Sequence, residues 1–182
     1  MSLIPTPATI ADAPEASQPI LEAVQKQMGA VPNIFRLIAN SPATLSGLTA
    51  LQGALGKGKL SLATRERLAL TMAEANGCTY CLSAHSFTAA KFAKLDATEI
   101  AAARNGTSSD AEAAAALTFA RALTVARGAV APTEVEAVRA AGYSDGEILE
   151  IIAQVALNTF TNYVNEALGT AIDFPRIDRQ VA

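Results

Sequence analysis

The chain has 182 residues, of which 51% are apolar and only 17% charged, with no tryptophan and a net charge of −3. That length suits one domain, and without a lysine/arginine cluster there is no electrostatic footprint for nucleic acid. No segment approaches the roughly 20 uninterrupted apolar residues of a membrane span, and the N-terminus carries no signal-like segment, so a cytoplasmic protein is expected.

Pro5, Pro7 and Pro14, with Pro19 just beyond, mark residues 1–18 as an extended proline-rich arm, either mobile or draped over a neighbouring subunit. Residues 19–182 read as a single helical domain. Ile20, Leu21, Val24 and Met28 outline a short helix that Gly29 ends. Pro32 opens a second helix and Pro42 a third, which runs to the Gly56-Lys57-Gly58 break. Ser61 is an N-cap for a helix over 62–76 closed by Gly77, and another helix is expected from Cys78 to about Leu95.

Residues 98–104 and the alanine-rich 110–127 follow, then 132–141 with Gly142 as its stop. Ser144 caps a long last region, with room for a break, reaching about Thr170. No run of alternating β-branched residues occurs, so the expected fold class is all-α. The last region carries Asn158, Asn162 and Asn165, and the simplest task for Asn162 and Asn165 is to cap or bridge helices. Low charge with many small residues also points to a surface partly covered by copies of the same chain.

Cys78 and Cys81 are the only cysteines and His85 the only histidine, all within GCTYCLSAH. On a helix, residues 78, 81, 82, 85 and 89 share one face, and Cys81 and His85 stand at i, i+4, within reach of a hydrogen bond. Cys78 falls in the first turn, where free amides and the helix dipole favour a thiolate. The three-residue spacing suits a disulfide, so the pair has the means to cycle between dithiol and disulfide.

His85 needs a proton partner, and the preceding helix offers Glu66 and Glu74. Glu66 shares a stripe with Leu62, Ala69 and Ala73 that should pack inward, and a carboxylate there requires a polar partner. Glu66 is favoured, with Glu74 as the substitute. Two other readings use the same residues. One is a zinc site built from Cys78, Cys81, His85 and a glutamate, although structural zinc sites usually draw on two separated ligand pairs. The other is a redox-sensing helical scaffold whose disulfide alters assembly without efficient turnover.

The motif ERLALTMAEANGCTYCLSAH, with VPNIFRLIANSP before it and NYVNEALGTAIDFP near the end, resembles the alkylhydroperoxidase D-like (AhpD-like) branch of the carboxymuconolactone decarboxylase family. The likeness covers most of the chain beyond the arm. It implies an AhpD-like multi-helical fold assembled as trimers or hexamers, and a thiol peroxidase needing no metal, haem or flavin. Cys81 would attack the peroxide, Cys78 would resolve the product as a disulfide, and His85 and Glu66 would relay the proton. An external dithiol would reduce the disulfide, in related proteins a lipoyl group on a partner protein. The best-known peroxidase members have a second histidine between the cysteines, where this chain has Tyr80.

Overall fold

The computed structural model describes residues 2–180, and no β-strand occurs among them. Helices run α1 Gln18–Met28, α2 Asn33–Ile38, α3 Pro42–Leu55, α4 Leu62–Ala75, α5 Thr79–Lys91, α6 Ala97–Arg104, α7 Ala111–Val125, α8 Pro132–Ala140 and α9 Asp145–Leu168. Side chains of Ser41, Ser61, Cys78, Asp96, Asp110 and Ser144 cap six of them by accepting a backbone N–H of the first turn, which satisfies donors that a helix start leaves free.

α4 is the hub and packs against α5, α6, α7 and α9. Its stretch Leu68–Ala73 is buried around the whole circumference, as expected of a helix enclosed on all sides. One core gathers α1, α2, α3 and the start of α5, and includes Leu21, Phe35, Leu45, Cys78, Cys81 and Leu157. The other gathers α4, α7, α8 and the first half of α9 around Leu68, Leu70, Leu117 and Ile151.

Three sequence expectations change. The arm lies along its own chain: Leu3 N–H donates to the Leu168 carbonyl at 2.8 Å, Asn40 donates to Pro5 O at 2.8 Å, and Arg36 donates to Ala8 O at 2.6 Å. Its second half winds into two 3-10 turns, Ile10–Asp12 and Glu15–Ser17, and Ala13 and Ser17 are buried. α5 stops at Lys91, short of Leu95, because Lys94 takes a left-handed φ of 58°. The chain thereby folds back, Leu95 N–H donates to Ala89 O at 3.1 Å, and the Leu95 side chain tucks against the second core. α9 is one continuous helix, set at its start by reciprocal bonds between Ser144 and Glu147.

Candidate active site

Three helices meet at the sulfur: α5 brings both cysteines and His85, α4 brings Glu66, and α9 brings Asn162 and Asn165. A short link aligns α4 with α5. Gly77 adopts a left-handed φ of 68°, a conformation that favours glycine, and Cys78 N–H reaches back to Ala73 O at 2.8 Å. Cys78 is then the N-cap of α5, its Sγ accepting the Cys81 backbone N–H at 3.3 Å.

Glu66 and His85 meet, with Oε2 3.0 Å from Nδ1, and Thr88 Oγ1 donates to the same oxygen at 2.6 Å. An ionised carboxylate only accepts, so the ring must carry its proton on Nδ1. Nε2 is left as the atom that takes or gives a proton. Glu74 is engaged elsewhere, accepting from Arg104 Nε at 2.7 Å and from Gln180 N–H at 2.6 Å.

Cys81 is only 3% exposed, yet its thiol lies below the ordinary 9.0, at about 7. The first cause is the Cys78 thiol, which donates to the Cys81 sulfur; burial opposes this, and the His85 charge and the Asn165 and Asn162 amides add to the lowering. Cys78, fully buried, is pushed well above the ordinary thiol range by the same hydrogen bond and by desolvation. The thiolate of the first turn is thus Cys81, and Cys78 acts as its donor. Burial disfavours a charged His85, but the Glu66 charge and hydrogen bond outweigh it, and its pKa is raised above 6.5.

The expected direct bond between Cys81 and His85 is not formed: among the described residues the Cys81 sulfur accepts from Asn165 Nδ2 at 3.1 Å, and the imidazole acts on it through charge. Behind Asn165, Asn76 Nδ2 donates to Asn162 Oδ1 at 2.8 Å. Asn162 Nδ2 and Asn165 Oδ1 are buried and make no hydrogen bond to the described residues. From the sequence, capping or bridging helices is the simplest task for these amides, with a contribution to the site as the alternative. The signal was present in Asn158, Asn162 and Asn165 recurring at helical spacing, but the sequence alone does not show what they face.

Tyr80 faces away from the imidazole. Its hydroxyl donates to Asp173 Oδ1 at 2.8 Å and accepts from Ile34 N–H at 3.3 Å, and its ring meets Phe174 edge-on at 5.9 Å. Residues 171–177 therefore strap across the first turn of α5, with Ile177 N–H on Ser83 Oγ at 3.0 Å. Under the strap lies a cavity of about 480 Å³ lined by Thr79, Tyr80, Asn165, Thr170, Ile172 and Phe174. It touches both residues between the cysteines.

A thiol midpoint near 7 predicts a pH profile. Because the pKa is depressed, the thiolate persists as pH falls from 9.0 and is lost only through about 7; an ordinary thiol would be about 1% ionised at that lower pH. Iodoacetamide alkylation of the reduced protein should show its half-maximal rate near pH 7, and a midpoint near 9 would contradict the site electrostatics.

Fold and site define an all-helical thiol protein with a CxxC pair beside an imidazole–carboxylate couple. Residues 42–126, from α3 to the end of α7, match the carboxymuconolactone decarboxylase family. The structure is similar to an alkylhydroperoxidase AhpD core, a peroxidase-related protein from Ralstonia eutropha JMP134, with TM-score 0.84 and 25% identity over 94% of this chain and 92% of that one. It is also similar to a peroxidase-related protein from Silicibacter sp. TM1040, with TM-score 0.81 and 26% identity over 93% and 91%. The debrominase Bmp8 bound to 2,3,4-tribromopyrrole shares the fold, with TM-score 0.79 and 23% identity over 95% and 94%. No curated protein matches the sequence. The chain is thus similar to AhpD-like proteins over nearly its whole length, and its residues 42–126 match the carboxymuconolactone decarboxylase family.

Among the described residues no three of His, Cys, Asp or Glu converge as metal ligands. Nor is any described helix long and apolar enough to cross a membrane.

Proposed function

We propose that the protein is a thiol-dependent peroxidase that reduces hydroperoxides with its own dithiol. The observation that carries this reading is the Cys81 sulfur accepting from Asn165 Nδ2 at 3.1 Å, one helical turn from an imidazole paired with Glu66, surroundings that lower its pKa to about 7. Thiolate is the nucleophilic form, and a His–Glu couple is a proton store of suitable strength.

Cys81 sulfur attacks the terminal oxygen of the hydroperoxide, the O–O bond breaks, and the alkoxide takes a proton from the His85 imidazolium at Nε2. Cys81 is then a sulfenic acid. Cys78 sulfur displaces its hydroxyl, which leaves as water with the Cys78 proton, and the disulfide forms. An external dithiol, of which a lipoyl group is one type, reduces that disulfide and is itself oxidised; its two hydrogens restore the Cys78 thiol and the proton on His85, leaving Cys81 as the thiolate.

The protein is further proposed to work as a homo-oligomer, a trimer or hexamer. Leu149, Ile152, Phe160 and Tyr163 leave an apolar stripe exposed along α9, and light scattering of the purified protein would measure the assembly.

The test is peroxide consumption with a dithiol donor by wild type and Cys81→Ser. Turnover in the wild type and background rates in Cys81→Ser are expected. Equal rates in both would end the assignment. Running 2,3,4-tribromopyrrole beside the peroxide would separate this chemistry from the debromination carried by the Bmp8 neighbour.

A further inference from the structure

We infer that Asn165 is a catalytic residue, the amide donor that holds the Cys81 sulfur as an anion whenever it is formed or expelled. The inference deepens the proposed function and rests on the same sulfur. The contact is direct: Nδ2 lies 3.1 Å from Sγ, inside a site where Asn165 itself is 3% exposed.

The surrounding groups explain why an amide is needed there. Titratable groups about the sulfur are Cys78 and His85 on its own helix, with Glu66 on α4 behind the imidazole. From α9, Glu166 carries a negative charge that acts on Cys78. Buried and without a direct bond to the imidazole, a thiolate would be poorly solvated. Asn165 supplies a fixed N–H dipole in place of water, already oriented before the reaction. Being neutral, it gives up no proton to the sulfur, so it favours the anion without competing with His85.

The orientation of these amides supports the same reading. An anionic sulfur accepts and cannot donate, so it selects the N–H₂ end of Asn165 and leaves Oδ1 with no partner. One turn earlier, Asn76 occupies Asn162 Oδ1 at 2.8 Å, which fixes the Asn162 amide with its N–H₂ end free of any protein acceptor. Asn162 adds a smaller pull on the Cys81 anion. Asn76 and Asn162 are positioning residues that act through this network. A set of amides serving only to bridge α9 to α5 would pair its own donors and acceptors first.

In the cycle, Asn165 acts twice. It stabilises the thiolate when Cys81 passes its proton to His85, and again when an external thiolate cleaves the disulfide at Cys78 and Cys81 leaves as the anion. A leaving thiolate of lower pKa departs faster.

The test uses the full reduced chain in a Cys78→Ser background, where Cys81 is the sole thiol. Thiolate ultraviolet absorbance and iodoacetamide alkylation are followed against pH for Asn165, Asn165→Ala and Asn165→Asp, with circular dichroism as the check on folding. Asn165→Ala should raise the midpoint by about one unit and slow alkylation at neutral pH roughly tenfold, as a lost hydrogen bond to a charge would. Asn165→Asp, nearly identical in shape, should raise it further by setting a negative charge on the sulfur. Should the variants fail to fold, the side-chain amide resonance of Asn165 in the unsubstituted protein should move with the Cys81 titration. Folded variants that keep the parent midpoint, or an amide resonance indifferent to that titration, would overturn the inference and leave Asn165 a packing residue. None of these readouts uses peroxide. A wild type that consumed no peroxide would remove the peroxidase reading while leaving the thiolate result to stand on its own.

Discussion

Cys78→Ser should react with one equivalent of hydroperoxide and then stall, with sulfenic acid accumulating at Cys81. The substituted hydroxyl still donates to the Cys81 sulfur, so the first oxidation should keep most of its rate. What is lost is the partner that displaces the sulfenic hydroxyl. A thiol tethered three residues away competes with external dithiol at an effective concentration set by geometry, and even a modest value of about 0.1 M exceeds millimolar reductant roughly 100-fold. Steady-state turnover should fall by about that factor. Mass spectrometry of a dimedone-trapped adduct would locate the sulfenic acid. Trapping at no position, with turnover unchanged, would remove Cys78 from the cycle.

The second large effect is structural. Glu99 joins α6 to α4 through a 2.7 Å ion pair with Arg67 Nε, both side chains being 10% exposed. It also accepts from Ser109 N–H at 3.1 Å, from the Ser109 hydroxyl at 2.7 Å and from the Ser108 hydroxyl. Burial alone would raise its pKa, but these hydrogen bonds together hold it at about 2, below the ordinary 4.5. Glu99→Ala would leave Arg67 charged and unpaired in the interior, a loss of about 3–5 kcal/mol. Urea denaturation at neutral pH would measure it. Because the folded-state pKa is depressed, the Glu99 contribution is complete above about 4.5 and fades as pH falls toward 2. The wild-type advantage over Glu99→Ala should therefore shrink in acid. An advantage that grew there would contradict the pairing.

Much of the architecture was legible in the chain because local signals and tertiary packing agree. Ser61, Ser144 and Pro42 mark helix starts, and Gly29 and Gly77 mark stops, because capping and left-handed turns act within a few residues. The Glu66–His85 pairing was also accessible. Of the stripe that Glu66 shares on α4, Ala69 and Ala73 pack inward while Leu62 is exposed; the carboxylate among them needed a polar partner, and one imidazole stood on the next helix. The end of α5 and the course of the arm were less accessible, because each depends on surfaces that distant segments provide. Leu95 folds back toward the second core, and residues 3–8 follow hydrogen-bond partners on α2 and α9 and just beyond α2.

The sequence by itself determined the helical class and the confinement of sulfur and imidazole to about two turns at the start of α5, and it narrowed the carboxylate to Glu66 or Glu74 on the helix before it. All three follow from periodicity and spacing, which are properties of a few adjacent turns. The tertiary structure decided that donors and charge gather on the Cys81 sulfur, that Cys81 meets Asn165 where contact with His85 was expected, and that residues 171–177 strap across the first turn of α5. A thiol's ionisation depends on every donor and charge that packing brings within a few ångströms. Asn165 is 84 residues from Cys81 along the chain, so no pattern within α5 shows that contact.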